Sequence, residues 1–313
     1  MPAFTPLDGF TVFPAGMAAV MTAYNHFAWP EDVERRPAGR RVSVLIPARN
    51  EAAVIEAAVR GALDALPADG EVVVYDDASE DGTGAIVRAI RDDRLKVVEG
   101  TGLPSGWFGK PHACHRLAEV ATGEVLCFVD ADVTLEEGAV DRVVALLDRF
   151  EAQVVTAFPR QRLETMAERV VLPFLPLSFV AWIPLDAVWR SARPWLLAAS
   201  GQILAVERDT YAAIGGHAAL RGEVVDDMAL CRNAKQAGRR VVFAYAPRSG
   251  SCRMYRSGRE IWEGFSKNLY AGLGSSRWAL GAMVVLYLSA FVWPYVRFAW
   301  EAWWGSPGWE STV

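Results

Sequence analysis

The sequence has few of the features that mark disulfide-rich, zinc-binding or nucleic-acid-binding proteins. Its 313 residues contain four cysteines, which lie far apart at Cys114, Cys127, Cys231 and Cys252. No two of them form a CxxC pair, which excludes a disulfide scaffold and argues against a zinc cluster. The net charge is −5, whereas nucleic-acid-binding proteins usually carry a basic excess, so we expect no nucleic-acid partner.

Charge is sparse along the chain and apolar residues are abundant. Charged residues make up 22% and hydrophobic residues 52% of the sequence, which excludes a disordered chain and predicts one large domain or two modest ones. Twelve residues are tryptophan, but only Trp29 and Trp107 precede residue 180. Because tryptophan is enriched where a membrane meets water, this imbalance indicates lipid contact in the second half of the chain.

One uncharged stretch near the C-terminus has the length of a membrane span. Trp278–Val296 contains no charged side chain, and as a helix it would extend roughly 29 Å. Tryptophans stand at both of its ends, and Arg297 follows at once. We expect a transmembrane or deeply inserted helix here; a buried core helix is the alternative.

Two further apolar stretches are less regular. Gly9–Pro30 is uncharged but contains Pro14, and it fits an interfacial helix as well as a full span. Val170–Leu185 is interrupted by three prolines, which suits an interfacial or re-entrant segment about as well as a core segment. A basic cluster follows the first stretch and, by the positive-inside rule, places the next domain in the cytoplasm. It consists of Arg35, Arg36, Arg40 and Arg41.

Between residue 40 and about residue 155, short buried-strand patterns alternate with helical patterns. This alternation predicts an α/β fold, with a mostly parallel sheet and helices on both faces. The predicted strands are Val42–Ile46, Glu71–Tyr75, Lys96–Val98, Val125–Val129 and Gln153–Phe158. The predicted helices are Glu51–Leu66, Asp81–Arg91, Lys110–Ala121 and Leu135–Phe150.

Polar and acidic residues follow three of these strands, at Pro47–Glu51, Asp76–Thr83 and Asp130–Asp132. In open α/β sheets, ligands bind beyond the carboxyl ends of the strands. Any single cluster has an ordinary structural alternative, since Ser79 or Asp81 could cap the next helix. Three clusters at the same edge of one sheet favour a binding site.

Asp130 and Asp132 are spaced for metal binding. In an extended segment, residues i and i+2 point the same way, so both carboxylates can approach one cation. Mg²⁺ prefers a few protein oxygens together with phosphate oxygens. Such a site suits a nucleotide diphosphate, whose negative charge the metal neutralises as the diphosphate leaves.

The motifs taken in order resemble family 2 glycosyltransferases of the GT-A fold, over roughly residues 40 to 270. They are PARNE at 47–51, DDASEDGT at 76–83, GK at 109–110, DAD at 130–132 and VVDDMAL at 224–230. Three segments look closest to membrane-associated bacterial enzymes that glycosylate carotenoid or hopanoid-type lipids. They are GKPHAC at 109–114, SGQILAVERDTYAAIGGH at 200–217 and RMYRSGREIWEGFSKN at 253–268.

The resemblance implies inverting transfer of one sugar from a nucleotide-sugar, with a UDP-sugar as the expected donor, to a hydroxyl or carboxyl group of a membrane lipid. It also implies Mg²⁺ or Mn²⁺ as cofactor, and a catalytic domain facing the cytoplasm at the bacterial inner (plasma) membrane. A polyprenyl phosphate or a diacylglycerol is the alternative acceptor. On this basis we expect five segments. They are an apolar helix with a basic linker (1–39), a nucleotide-sugar-binding half (40–160), proline-broken interfacial helices (161–200), an acceptor and catalytic-base half (201–276), and a membrane helix with a tail (277–313).

The resemblance also implies roles for individual residues. Asp227 matches the general base, and its neighbour Asp226 could raise its proton affinity, although Asp226 could equally cap a helix over Met228–Ala237. Asp130 and Asp132 match the metal-binding pair. The implied donor-side residues are Pro47, Arg49, Asn50, Glu51, Asp76, Asp77, Lys110, Asp130, Arg253 and Arg256. The implied acceptor-side residues are Gln202, Gly215, Gly216 and His217, and His217 could equally be a solvated turn histidine.

The sequence departs from the family pattern at three places. Ala78 replaces a common glycine, and Asp226 replaces a common glutamate. The QxxRW motif of processive polysaccharide synthases is absent after Asp227, where Arg253 and Arg256 stand instead. Since arginine binds diphosphates through paired hydrogen bonds, this favours transfer of a single sugar over polymer synthesis.

Two other classes of function fit parts of the sequence. A nucleotidyltransferase with a similar sheet would carry a glycine-rich basic loop after the first strand, and PARNE is not one. A catalytically silent membrane scaffold would not need three acidic clusters. The tryptophans of the proline-broken stretch suggest an additional expectation, that the lipid reaches Asp227 along residues 170 to 195, past Trp182 and Trp189.

Overall fold

The computed structural model describes residues 6–273 and 276–304. The predicted outermost parts of the N-terminal segment (1–5) and of the C-terminal tail (305–313), and the junction at 274–275, lie outside the described residues. Within the described ranges, ten strands form two sheets. The strands are β1 Val42–Ala48, β2 Glu71–Asp76, β3 Leu95–Glu99, β4 Val125–Val129, β5 Val133–Leu135, β6 Val154–Phe158, β7 Arg160–Gln161, β8 Ile203–Glu207, β9 Val241–Tyr245 and β10 Gly250–Cys252.

The helices cover both faces of the larger sheet and extend to both ends of the described chain. They are α1 Pro6–Ala28, α2 Ile55–Ala65, α3 Thr83–Ala89, α4 Gly109–Val120, α5 Ala139–Arg149, α6 Met166–Val171, α7 Phe174–Val180, α8 Leu185–Arg190, α9 Arg208–Ala213, α10 Asp226–Gln236, α11 Gly258–Gly272, α12 Arg277–Tyr287 and α13 Trp293–Trp304. A 3₁₀ turn covers Gly216–Leu220, and a π-helical stretch, Leu288–Val292, joins α12 to α13.

The larger sheet has seven strands in the order β3-β2-β1-β4-β8-β6-β9. Its strands pair in parallel except β8, which is antiparallel to both β4 and β6. Alternate residues of a strand point to opposite faces, and both faces here are buried. In β1, Val44 and Ile46 join one apolar cluster while Leu45 joins the other. This mostly parallel, two-sided sheet confirms the predicted α/β fold.

The smaller sheet, in the order β5-β10-β7, supports the predicted metal-binding segment. β5 begins directly after Asp132 and pairs antiparallel with β10, so that Val133 lies opposite Cys252. The backbone N–H of Asp130 donates to the carbonyl of Gln202, which immediately precedes β8. The loop bearing the two aspartates is therefore held between both sheets.

Helix α1 is anchored to the corner between α7 and α8 by the buried side chain of Asn25. Pro184 has no N–H to bond the Val180 carbonyl one turn earlier, so that carbonyl needs another donor. Asn25 Nδ2 donates to the carbonyls of Val180 (2.8 Å) and Ile183 (2.6 Å), and Asn25 Oδ1 accepts from Leu185 N (2.9 Å). The predicted proline-broken segment thus folds as short helices tied to the N-terminal helix.

Helix α12, the π-helical stretch and α13 run on as one continuous helix that fits the predicted C-terminal membrane helix. In the described part of the chain, Arg277–Trp300 is the one helix that is long and apolar enough to cross a bilayer, and its most apolar 18-residue window is only 11% buried. Large apolar side chains are also exposed on α1 and α7, among them Phe13, Phe27 and Phe174. The basic linker, by contrast, pairs with the catalytic domain, as Arg40 does with Asp148 and Glu207.

Candidate active site

The carboxyl ends of β1, β2 and β4 border a cavity of about 310 Å³. Its walls come from the loops after these strands and from the first turns of α4. They are formed by Pro47, Ala48, Arg49, Glu51, Asp77, Gly109, Lys110, Ala113, Asp130, Ala131 and Asp132. The structure therefore brings the three acidic clusters together at one edge of the sheet, as their order after parallel strands predicts.

The loops after β1 and β2 are locked to each other by side-chain-to-backbone hydrogen bonds. Asn50 has a positive φ of 57°, and its Oδ1 accepts from Glu80 N (2.9 Å), so its side chain organises the loop and does not line the cavity. Glu51 N donates to Thr83 Oγ1 (2.8 Å). With the loop held in this way, the helix after β1 starts at Ile55, which is four residues later than the predicted start at Glu51.

The two aspartates at the carboxyl end of β2, Asp76 and Asp77, have different surroundings. Asp76 Oδ1 accepts from Ser79 N (3.1 Å), so this carboxylate closes the turn that follows β2. Asp77 lines the cavity, and its Oδ2 pairs with Arg49 Nη1 at 3.3 Å. Arg49 itself is largely exposed, so this ion pair stands at the cavity rim.

Asp130 and Asp132 both line the cavity, and their surroundings fit a divalent cation. Oδ1 of Asp132 is buried and has no hydrogen-bond partner among the described residues. Burial and the neighbouring Asp130 carboxylate raise the pKa of Asp132 to about 6, because two close negative charges repel each other. A hard cation would satisfy the unpaired oxygen and offset this repulsion, and oxygen ligands of this kind suit Mg²⁺ or Mn²⁺.

Glu51 adds a third carboxyl group to this end of the cavity. Burial and the charges of Asp132 and Asp130 raise its pKa to about 7. The positive charge of Arg256 opposes this rise, but neither Arg256 nor Arg253 lines the cavity. Arg253 pairs with α6 instead. The Arg253 guanidinium lies 3.0 Å from buried Glu168 and 2.8 Å from Glu164.

Lys110 stands at the N-terminus of α4 and lines a small pocket together with Asp130, Asp226 and Asp227. Its Nζ lies 2.6 Å from Asp130 Oδ1. Burial lowers its pKa, but the nearby carboxylates of Asp130 and Asp226 outweigh that effect and raise the pKa above its usual value. Lys110 is therefore a fixed positive charge beside the cavity, of the kind that binds phosphate.

Asp226 and Asp227 form the first turn of α10, where the helix dipole favours negative charge. Asp227 Oδ1 accepts from Met228 N (2.7 Å). Burial and the adjacent Asp226 carboxylate raise the pKa of Asp227 to about 6. Burial also acts on Asp226, but Lys110 and His217 outweigh it and lower the pKa of that residue. The pKa values of the two neighbouring aspartates are thus shifted in opposite directions, and Asp227 has the higher proton affinity that a general base needs.

Gly201 is a site residue that the sequence reasoning missed. A Cβ atom added to it would lie 3.1 Å from Lys110 Nζ and 3.5 Å from Asp227 Oδ2. Glycine therefore leaves room for both the lysine and the aspartate to pack against the backbone at this position. A small residue two positions before the apolar run Ile203–Val206 was the signal in the sequence.

The other predicted acceptor-side residues lie beneath the cavity or behind it. Gln202 is buried, and its side-chain amide contacts Gln161 (3.0 Å) and Cys252 Sγ (3.1 Å). Gly215 and Gly216 have positive φ values of 79° and 49° and form the turn that leads into His217. His217 is only 3% exposed. These residues support the site from within, while their contact with an acceptor stays a prediction.

Trp182 and Trp189 do not line the cavity in the described structure. The Trp182 ring packs against Tyr287 and Phe291 of the C-terminal helix, with centroid distances of 5.9 and 6.0 Å. The Trp189 ring packs edge-on against Phe150 at the end of α5, with centroids 5.1 Å apart. Trp182 thus joins the proline-broken segment to the membrane helix, and a lipid path past both tryptophans stays a prediction.

Residues 43–215 match the family described as Glycosyl transferase family 2. Because the match covers more than half of the chain, the protein belongs to Glycosyl transferase family 2. The predicted family and the predicted enzyme class, a glycosyltransferase, are confirmed.

Relatives with assigned names include 4,4'-diaponeurosporenoate glycosyltransferase of Staphylococcus aureus (strain MRSA252). The chain is 26% identical to it over 258 residues, which are 80% of this chain and 66% of that protein. The chain therefore spans just under two thirds of this relative's length. The same enzyme from Staphylococcus aureus (strain USA300) gives the same identity and coverage.

Solved structures share the fold at low sequence identity. The mannosyltransferase PcManGT from Pyrobaculum calidifontis, solved with GDP-Man and Mn²⁺, has a TM-score of 0.62 at 21% identity, covering 95% of this chain and 90% of that one. Glucosyl-3-phosphoglycerate synthase from Mycobacterium tuberculosis, solved with Mn²⁺, UDP and glucosyl-3-phosphoglycerate, has a TM-score of 0.51 at 20% identity, covering 82% and 83%. These likenesses confirm the GT-A fold.

Proposed function

We propose that the protein is a non-processive, inverting glycosyltransferase that moves one sugar from a nucleotide-sugar to a membrane lipid. One observation carries this proposal: Lys110 and Asp227 both pack against Gly201 in a small pocket that shares Lys110 and Asp130 with the larger cavity. A phosphate-binding cation, a metal-binding pair and a carboxylate of raised pKa are therefore assembled around a single reacting point.

The donor occupies the cavity beyond β1, β2 and β4. Asp130 and Asp132 would hold Mg²⁺ or Mn²⁺, which when bound supplies neutralisation of the diphosphate charge. Lys110 adds a second positive charge for the phosphates, while Arg49 and Asp77 form the rim of the cavity on the nucleoside side. A UDP-sugar is the donor we propose, in keeping with the UDP seen in one structural neighbour.

Asp227 is the proposed general base. It accepts the proton of the acceptor hydroxyl as that oxygen forms a bond to the anomeric carbon, and the bond from that carbon to the diphosphate oxygen breaks. Attack occurs from the face opposite the leaving group, so the anomeric configuration inverts. The raised pKa of Asp227, about 6, matches this task because base catalysis is most effective when the pKa lies near the working pH.

The acceptor we propose is a membrane lipid with a hydroxyl or carboxyl group, of the carotenoid or hopanoid type. The Arg277–Trp300 helix and the exposed aromatic side chains of α1 form an apolar surface that suits a bilayer. An apolar groove of about 690 Å³ between α1 and α13 adds to this surface. The name of the Staphylococcus aureus relative supports a carotenoid-type acceptor.

We place the enzyme at the bacterial inner (plasma) membrane, with its catalytic domain facing the cytoplasm. The basic linker after α1 supports this orientation through the positive-inside rule. Membranes carrying the full chain should transfer label from one member of a panel of radiolabelled nucleotide-sugars to an organic-extractable lipid. Membranes carrying the D227N variant are the control. Label that appears only in water-soluble products would contradict a lipid acceptor.

A further inference from the structure

A buried polar chain lies behind the cavity and contains Tyr211, His217 and Asp226. Tyr211 and His217 are 8% and 3% exposed, so His217 is not in a position to meet an acceptor from solvent. The Tyr211 ring occupies the space that a Cβ on Gly216 would need, which explains why glycine precedes His217. The two rings are thus held together by the turn itself.

The hydrogen bonds determine which ring nitrogen of His217 carries the proton. Tyr211 Oη accepts from the backbone N–H of His217 at 3.0 Å, and it lies 2.9 Å from His217 Nδ1. A buried hydroxyl proton needs an acceptor, and in the described part of the chain Nδ1 is the acceptor in reach. Tyr211 therefore donates to Nδ1, and the ring proton of neutral His217 is on Nε2.

The protonated nitrogen faces Asp226. His217 Nε2 lies 3.5 Å from Asp226 Oδ2, and both side chains are buried. The other charged groups close to Asp226 are Lys110, which attracts it, and Asp227, which repels it. The chain from Tyr211 through His217 thus ends on the carboxylate that stands between the fixed cation and the proposed base.

The same residues also resemble a metal site, since ligand atoms of Cys114, His217 and Asp226 lie within 4.8 Å of one another. Two observations argue against a metal there. The hydrogen bond from Tyr211 leaves the proton on Nε2, the nitrogen that faces Asp226, and the cationic side chain of Lys110 lines the same small pocket as Cys114, His217 and Asp226. The Tyr211–His217 hydrogen bond and the 3.5 Å contact of Nε2 with Asp226 account for the position of the His217 ring without a bound ion.

We propose that His217, kept in its Nε2–H form by Tyr211, is a positioning residue that orients Asp226 toward Lys110. Lys110, which pairs with Asp130 at 2.6 Å, lines the same small pocket as Asp226, Gly201 and the proposed base. The consequence for catalysis rests on the proposed function, because it concerns where Lys110 stands when the sugar is transferred. His217 itself does not touch either substrate.

Four variants test this role through kinetics. H217F keeps an aromatic ring at the position that packs against Phe128, but it lacks the N–H that faces Asp226. We expect kcat to fall about 10-fold in this variant, with the acceptor KM unchanged. H217Q, which can still donate, should recover most of that loss. Y211F should lower kcat by less than H217F, and the Y211F/H217F double variant should be no worse than H217F alone because the pair acts as a unit. A raised acceptor KM with unchanged kcat would overturn the proposal in favour of direct acceptor contact.

The protonation state can be measured without any transfer assay, so its outcome is separate from that of the proposed function. The chain has four histidines, and ¹⁵N-histidine labelling of the full chain with H217Q as the assignment control isolates the His217 signals in NMR spectra. We expect an unprotonated Nδ1 and a protonated Nε2, and a change of this pattern in Y211F. A protonated Nδ1, or a shift of the ring signals on adding Zn²⁺ alone, would refute the positioning role.

Discussion

Replacing Gly201 with alanine should lower the rate of sugar transfer while leaving the stability of the fold almost unchanged. The new methyl group would lie 3.1 Å from Lys110 Nζ, whereas ordinary contacts are about 3.5 to 4.0 Å, so Lys110 must retreat by roughly 0.4 to 0.9 Å. The same methyl group would lie 3.5 Å from Asp227 Oδ2, which is an ordinary contact distance, so Asp227 need not move. A misplacement on the order of 1 Å can reduce a rate ~100-fold, and for this smaller shift we expect a loss of about 10-fold, or about 1.4 kcal/mol.

Folding should be affected much less than the rate. Lys110 Nζ is the end of a flexible side chain, and Gly201 does not have the left-handed backbone that alanine resists. Removing a glycine also restricts the unfolded chain, which favours folding by about 0.4 to 1 kcal/mol. We therefore expect the free energy of unfolding to change by less than about 1 kcal/mol, as judged by urea denaturation in detergent.

G222A is the matched control, because a Cβ on Gly222 would have no atom within 4 Å. Its transfer rate should equal that of the wild-type protein. Initial rates at saturating donor and acceptor, measured together with the urea midpoint, give both quantities for each variant. If G201A transferred sugar at the wild-type rate, the position of the Lys110 ammonium group beside Gly201 would not matter for the reaction.

Three further predictions concern stability and metal binding. Burial raises the pKa of Glu71, but Lys96 and hydroxyl and amide donors outweigh this and lower it to about 2, so its stabilising effect is complete above pH ~4.5 and is lost as the pH falls through 2. E71Q should therefore lower the free energy of unfolding by about 2 kcal/mol at pH 7, and by much less at pH 2. N25A leaves buried backbone groups at the α7–α8 corner without partners, and should expose α1 to protease. D132N should weaken Mn²⁺ binding at least 10-fold in a titration with UDP present, since it removes one of two charged ligands.

Each of these has a clear contrary result. Equal destabilisation of E71Q at both pH values would mean that Lys96 does not stabilise the ionised carboxylate. An unchanged cleavage pattern in N25A would show that α1 is held by its apolar contacts alone. Unaltered Mn²⁺ affinity in D132N would remove Asp132 from the metal site.

The sequence predicted the first part of the sheet well because its strands are short, continuous apolar runs. Val125–Val129 is found with the predicted bounds, and β1 extends the predicted Val42–Ile46 by two residues. The direction of β8 was not predictable, since a buried strand has the same apolar pattern whether it pairs parallel or antiparallel. The late start of α2 depends on Thr83, which lies 32 positions beyond Glu51 in the chain. The hydroxyl oxygen of Thr83 accepts a hydrogen bond from the backbone N–H of Glu51.

The acidic residues of the site could be predicted because parallel strands bring their carboxyl ends to one edge. Side chains whose role depends on a distant partner could not. Arg253 looks like a diphosphate ligand in the sequence, but it pairs with Glu168, 85 residues away. The sequence did not show that the Trp182 ring contacts Phe291 of the π-helical stretch, and the lipid path past Trp182 stays a prediction. Such pairings depend on how the elements pack, which local patterns do not encode.

The central claim, that Asp227 is the base for sugar transfer, is tested most directly by the D227N variant. Asparagine has the same shape as the carboxylate but cannot accept the proton, and general base catalysis typically contributes ~10² to 10⁴-fold. The measurement pairs the transfer rate to lipid with the affinity for UDP in the presence of Mn²⁺, using the same membranes. We predict at least a 100-fold loss of transfer with UDP affinity nearly unchanged. Transfer close to the wild-type rate would contradict the assignment of Asp227.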